Sequence, residues 1–453
     1  MALFNPLNFR ENIADSKYIL LLPLIGAYEL WNSDDSGSKS HLFPYYLLIN
    51  ASIVLFAYRF NVSFSLFILF NVGIFIFVHQ TLFNLFPIGF LLLIFNVIAL
   101  KTLRTLAKKY SKCFTFAEFA IVFQCINYYL ISIITFNWQY WIDGEFTAYR
   151  KLDKFCLICY STLAFHWIVA KWIRISGLDP IIYLISFPLS LYGFLYHFLH
   201  IEPLYWFFNF LSFNQTRIYL LLFWSLVLLL TLLFAYIHTF HTVHRATTTA
   251  TRKIFHLAIS LVYITGIKYD VILLDFASKL ILFIFIFIEI IRLSNIPVII
   301  SIINTIFDRF RDEKDSGILT LSHIYLLVGC SSPLWLCNNL HHSNQISLAS
   351  GIMAIGIGDT IASVVGITYG NRRWPKSRKT YLGTFGFFLS HTLSFNLFDY
   401  YFNGENHLNI FDFQLVIRIL ILSTISCLYE TFTKHVDNLI LPLIEYLLIR
   451  ILF

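Results

Sequence analysis

The densest chemistry in the chain lies between Gly356 and Thr384. Gly356-Ile-Gly-Asp-Thr-Ile-Ala-Ser-Val-Val-Gly366 is followed by Thr368-Tyr-Gly-Asn-Arg-Arg-Trp-Pro-Lys-Ser-Arg-Lys-Thr-Tyr-Leu-Gly-Thr384. Five cations, Arg372, Arg373, Lys376, Arg378 and Lys379, stand among Thr368, Tyr369, Gly370, Asn371, Ser377, Thr380, Gly383 and Thr384. Cations neutralise a polyphosphate, while backbone N–H groups cradle it. Asp359 offers a hard oxygen ligand for a divalent cation. Trp374, before Pro375, offers a ring that could stack on a base. The same stretch also fits a basic loop after a small-residue packing helix, and composition alone does not choose between the two. There is no G-x-x-x-x-G-K-[ST] and no H-R-D paired with D-F-G, so a nucleotide site here belongs to another architecture.

Three further sets carry ionisable groups. Arg252 and Lys253 could contact phosphate, and His256, one turn on, could act as base or hydrogen-bond donor. The alternative is a basic flank with an interfacial histidine. Glu289 and Arg292, three apart, share a helix face and could form a structural pair. The loop after them carries Arg309, Arg311, Asp312, Lys314 and Asp315, and dense mixed charge of this kind is usually a solvated loop. Glu430, Asp437 and Asn438 stand near the ends of the last two apolar runs. With Asp359 they could complete an oxygen-ligand metal site, or they could simply be solvated at the interface. His238, His241 and His244 lack a carboxylate partner nearby in sequence, and Cys156-x-x-Cys159 lies inside an apolar run, where packing is the expected role.

Bilayer-embedded helices are what must position these groups. Of 453 residues, 58% are hydrophobic and only 13% charged, with a mean hydropathy of +0.72. A soluble domain carries roughly 25% charge. The composition excludes a disordered chain, a disulfide scaffold and an ordinary soluble enzyme. Apolar runs predict an all-α polytopic membrane protein with about 15 transmembrane helices and no soluble domain. The later spans are expected near 155–173, 178–200, 217–240, 254–268, 271–292, 318–337, 346–367, 380–400, 410–433 and 436–453. The net charge of +7 gathers in five basic loops that fall on one side, read as cytosolic, so no nucleic-acid partner is expected. An odd span count puts the N-terminus in the cytosol and the C-terminus in the lumen. Asn214-Gln215-Thr216 falls on the luminal side as a glycosylation acceptor. No cleaved signal peptide is expected. Residues 1–240 read as hydrophobic scaffold, and 241–453 read as the catalytic membrane domain.

In the last 200 residues the motifs resemble the dolichol kinase family. Gly358-Asp359-Thr360 through Gly383-Thr384, with R-W-P at 373–375, looks like that family's CTP-binding segment, carried onto about 367–382. T-R-K-I-F-H at 251–256, R-F-R-D-E-K-D-S-G at 309–317 and Asp437-Asn438-Leu439 look like the same family. The resemblance implies a multi-pass endoplasmic reticulum enzyme with cytosolic active-site loops. Such an enzyme moves the γ-phosphate of CTP to dolichol in the bilayer, with a divalent cation, expected to be Mg²⁺. The product, dolichyl phosphate, carries sugars for protein N-glycosylation. Asp359, His256 and Asp437 become the expected catalytic residues, with Asp359 and Asp437 on the metal. Thr368–Thr380, Gly383, Thr384, Arg252 and Lys253 take the nucleotide. Glu289, Arg292, Arg311, Asp312, Lys314, Asp315, Glu430 and Asn438 support them. Two positions depart from the family pattern: Leu382 stands where it has Glu, and Arg378 where it has Lys. The rival readings are a CDP-lipid synthase, a kinase of another lipid alcohol, and a non-enzymatic transporter or scaffold.

Overall fold

Inside a bilayer no water satisfies the peptide groups, so each spanning segment must bond to itself. The regular elements of the computed structural model are accordingly helices, apart from one isolated antiparallel bridge between Arg373 and Thr380. The structure describes residues 21–25, 110, 113–125, 148–173, 179–241, 247–293, 318–337, 344–375, 377–404, 413–433 and 436–453. Among these, four helices are long and apolar enough to cross a membrane: Gln215–Ile237, Val271–Leu293, Ile352–Tyr369 and Phe413–Phe432.

The chain forms two compact units. The first comprises Met1–Glu145 with Glu313–Leu319. Its described part includes the helix Phe116–Cys125. That helix opens with a reciprocal cap, in which the Glu118 amide donates to Thr115 Oγ1 (3.3 Å) and the Thr115 amide donates to Glu118 Oε2 (3.1 Å).

The second unit, Phe146–Asp312 with Thr320–Phe453, holds the remaining helices. In chain order these are α1 (Ala148–Ile173), α2 (Asp179–Leu199), α3 (Pro203–Ser212), α4 (Gln215–His241), α5 (Thr247–Tyr269), α6 (Val271–Leu293), α7 (Ser322–Leu336) and α8 (Gln345–Leu348). A wide π-helical stretch, Ile352–Asp359, then leads into α9 (Thr360–Tyr369), followed by α10 (Tyr381–Asn403), α11 (Phe413–Phe432) and α12 (Asp437–Leu452). The expected spans from 155 onwards coincide with these helices, with two differences. Residues 203–212 form a separate short helix, started by Pro203 behind a Glu202 cap. The run at 346–367 is broken into α8, the π-helical turns and α9.

Helix α5 packs on α4 and on the π-helical stretch, which also meets α10 and α12; α9 lies along α10, and α7 along α12. Close approach at these crossings depends on glycine. A Cβ on Gly356 would lie 1.8 Å from Ser260 Oγ, and one on Gly329 would lie 1.9 Å from the Asn438 carbonyl oxygen. The second obstacle is backbone and cannot swing aside. Gly329→Ala is therefore expected to part α7 from α12 and to destabilise the protein by about 1–3 kcal/mol. Gly193→Ala, with nothing within 4 Å of the new Cβ, should leave the melting temperature unchanged. Thermal unfolding of the two variants in detergent checks this contrast.

The far ends of α4 and α5 are pinned by Arg217, whose Nε donates to Asp270 (2.8 Å) and whose Nη1 donates to the Phe210 carbonyl (2.8 Å). Asn214 caps α4, its Oδ1 accepting from the Thr216 amide (3.0 Å). Cys156 packs with Leu152 and Phe276, while Cys159 packs with Leu163, Phe187 and Phe283.

Candidate functional site

Four segments that are distant in sequence meet at one end of the second unit. Asp359 closes the π-helical stretch, and Lys253 stands in the second turn of α5. Glu430 lies in the last turn of α11, and Asp437 opens α12. The fifth member, Lys379, comes from the loop between α9 and α10. Carboxylate oxygens of Asp359, Glu430 and Asp437 lie within 4.8 Å of one another. Lys379 Nζ pairs with Glu430 and stands 3.8 Å from both Asp359 and Asp437. Lys253 Nζ pairs with Asp359.

Asp359 is 3% exposed and Glu430 1%, whereas the Lys379 side chain is 37% exposed. The buried carboxylates thus reach the surface through one lysine. Partial burial works against a charged Lys379, but Glu430, Asp359 and Asp437 outweigh it and raise its pKa above the ordinary lysine range. It remains cationic at neutral pH.

Three carboxylates face two ammonium groups, so the cluster keeps a net negative charge in this arrangement. Glu430 Oε2 is buried and has no hydrogen-bond partner among the described residues. An orphaned carboxylate oxygen beside two further carboxylates fits a hard divalent cation, for which oxygen donors are the preferred ligands.

The loop is folded as a small hairpin. The Trp374 amide donates to the Lys379 carbonyl (3.0 Å), and the Tyr381 amide donates to the Arg372 carbonyl (3.1 Å). Thr380 caps α10, its Oγ1 accepting from the Gly383 amide (3.1 Å). Ser377 Oγ donates to the Thr431 carbonyl (2.7 Å), which ties the loop to the residue beside Glu430. Gly366 and Gly370 leave room for the Thr380 side chain, since a Cβ on either would come within 3.0 Å of it. Trp374 is engaged by the protein itself: its ring centroid is 4.1 Å from that of Tyr381, Phe432 meets it edge-on, and its Nε1 donates to Thr384 Oγ1 (3.0 Å). The indole therefore anchors the hairpin.

His256 is 5% exposed and sits in the field of Lys253, Asp359 and Asp437. Its Nδ1 lies 2.8 Å from the Arg252 carbonyl, a contact that places the proton on Nδ1. Its Nε2 is buried and has no partner among the described residues.

Other expected residues fall elsewhere. Arg292 grips Glu289 through Nε (2.8 Å) and Nη2 (2.5 Å), and Glu289 Oε1 also accepts from the Thr320 amide (2.9 Å). This pair fastens α6 to the start of α7. Leu382, 45% exposed on the first turn of α10, offers no ligand atom. Lys376, Arg311, Asp312, Lys314 and Asp315 fall outside the described residues, as do the side chains of His238, His241 and His244. Thr431 carried no expected role in the sequence beyond following Glu430, yet its Oγ1 meets Thr384 Oγ1 at 2.7 Å and its carbonyl holds Ser377. Its place beside Glu430 was the signal available.

The dolichol kinase family model matches residues 68–379, which include Lys253, His256, Asp359 and Lys379. The chain belongs to the dolichol kinase family. Dolichol kinase of Mus musculus is 38% identical over 264 residues, covering 55% of this chain and 48% of the relative. Dolichol kinase of Homo sapiens is 37% identical over the same length and coverage. Dolichol kinase of Saccharomyces cerevisiae is 28% identical over 318 residues, or 69% of this chain and 57% of the relative. The chain spans about half the length of the first curated relatives it matches. No solved structure matches. The family match ends at Lys379, so Glu430 and Asp437 enter the site through the fold.

Proposed function

We propose that this chain is a dolichol kinase: it transfers the γ-phosphate of CTP to dolichol and releases CDP and dolichyl phosphate, the lipid carrier for protein N-glycosylation. The observation that carries the reading is the junction of Lys379 and Lys253 with the Asp359, Glu430 and Asp437 carboxylates, in a chain of this family. Phosphoryl transfer requires positioning and charge neutralisation more than covalent chemistry. Asp359, Glu430 and Asp437 would hold the divalent cation, most simply Mg²⁺. When bound, the cation neutralises developing charge on the transferring group.

The protein's own residues do the rest. Lys379, Arg378 and the cations of the hairpin draw the triphosphate to the surface end of the cluster. Thr368–Asn371 and Thr380 supply hydroxyl and amide donors along it. Lys253 holds Asp359 in place, and Arg252 adds a further positive charge. The dolichol oxygen attacks the γ-phosphorus, the bond to the β–γ bridging oxygen breaks, and CDP leaves. The hydroxyl proton passes to His256 Nε2 or to a cluster carboxylate. Glu289, Arg292 and Asn438 keep the surrounding helices in register.

The same reading places the chain in the endoplasmic reticulum membrane as a polytopic protein of about fifteen spans. Residues 1–240 serve as hydrophobic scaffold and 241–453 as the catalytic domain, with the active-site loops in the cytosol. A polyisoprenoid cannot leave the bilayer, so its hydroxyl must meet CTP at the membrane interface.

The donor is tested by supplying purified protein, dolichol and Mg²⁺ with γ-labelled CTP, UTP, ATP or GTP in parallel. Label is expected in dolichyl phosphate from CTP at a rate at least tenfold above the others. Equal transfer from ATP would overturn the assignment of CTP.

A further inference from the structure

An apolar groove of about 500 Å³ runs between α4, α5, α6 and α7. Trp224, Leu228, Ile259, Val262, Ile281 and Leu326 form its walls. Leu228 and Ile281 are exposed, so the groove opens sideways on helices that are long and apolar enough to span a bilayer. Its polar lining includes Arg252, His256 and Asn438, which are the sequence neighbours of Lys253 and Asp437 in the carboxylate cluster. The groove therefore joins lipid-facing helices to the phosphate site. His256, which lines it, carries a buried Nε2 without a partner among the described residues, while Nδ1 is committed to the Arg252 carbonyl. A buried acceptor in an apolar passage is costly unless a donor arrives from outside the protein.

We infer that this groove seats the hydroxyl-bearing end of a long-chain isoprenoid alcohol, with its O–H donating to His256 Nε2 and its first isoprene units lying between α4, α5, α6 and α7. The inference rests on the proposed kinase reading for the identity of the alcohol. The volume is of the size that ligand pockets have, roughly 300–1,000 Å³. It accommodates a few isoprene units, and the rest of the chain stays in the bilayer. The hydroxyl then approaches the cluster from the membrane side, opposite the side from which the hairpin delivers the nucleotide.

Ala258 and Ala277, both groove-lining, are the positions at which to narrow it. Ala258→Phe and Ala277→Phe are each expected to raise the KM for dolichol about tenfold and to leave the KM for CTP unchanged. As a second measurement on the unaltered protein, a dolichol analogue with a diazirine on the unit next to the hydroxyl should label α4, α5, α6 or α7 peptides. Unlabelled dolichol should compete. Labelling confined to other helices would overturn the groove assignment, as would an unchanged dolichol KM in both folded variants. If a variant fails to fold, the labelling alone decides. Failure of the kinase reading looks different: the unaltered protein would transfer no γ-phosphate, whatever the labelling shows.

Discussion

Lys379→Ala is expected to lower phosphoryl transfer about 10²–10³-fold, the effect of removing one preorganised donor from a charge-developing site. Lys379 pairs with Glu430 and stands 3.8 Å from both Asp359 and Asp437. Its loss also strands Glu430, which is 1% exposed. Breaking a buried pair costs about 3–5 kcal/mol, and the cost here should fall at the lower end because water reaches the lysine. Two effects are thus superposed, and a double variant separates them. Lys379→Met with Glu430→Gln removes both charges, so the melting temperature should recover most of its loss while transfer stays low. Lys379→Arg keeps the charge and should retain more activity than Lys379→Ala. If Lys379→Ala lost stability but kept transfer within threefold, the lysine would be a structural counter-ion only. The measurements are initial rates with γ-labelled CTP and thermal unfolding of the same preparations.

The second large effect is expected at Asp359. Asp359→Asn preserves shape but removes the charge that pairs with Lys253 and faces Lys379. A loss of about 4 kcal/mol of transition-state stabilisation would lower kcat about 10³-fold. The signature that identifies a metal role is the cation dependence. The Mg²⁺ concentration for half-maximal rate should rise at least tenfold in Asp359→Asn and in Asp437→Asn, both carboxylates of the cluster. Glu289→Gln, which loosens the ion pair within α6 and the hydrogen bond from Thr320 ahead of α7, should lower the melting temperature without moving that midpoint. A midpoint unchanged in Asp359→Asn would remove the aspartate from the metal site.

Much of this site was legible because charge is scarce in the chain. With 13% charged residues in an apolar background, five cations around Trp374 and single carboxylates at 359, 430 and 437 stand out. Ionisable groups near a bilayer are costly, and that cost is the signal. Helix positions from 155 onwards were legible for a related reason: apolar length and short polar breaks set them. The meeting of the carboxylates was visible only as a possibility, since packing of α5, α9, α10, α11 and α12 brings them together and no local rule encodes it. The π-helical turns at Ile352–Asp359 were hidden because their apolar residues read as ordinary helix. Part of the setting of Trp374 was hidden for a tertiary reason. Its partners Tyr381 and Phe432 come from two helices that the hairpin folds back upon. The groove was illegible altogether. Its walls are drawn from apolar faces on four helices, each of which looks the same as a lipid-facing one.

The central claim is that the lysine–carboxylate cluster directs the γ-phosphate, and not the cytidylyl group, to a lipid alcohol. The measurement that tests it most directly gives purified protein, dolichol and Mg²⁺ a CTP carrying one label on the γ-phosphate and another on cytidine. The account predicts γ-label in the lipid with cytidine label remaining in CDP, and loss of that transfer in Lys379→Ala. Cytidine label in the lipid fraction, with the γ-label of CTP leaving as pyrophosphate when a lipid phosphate is supplied in place of dolichol, would contradict it and identify a CDP-lipid synthase.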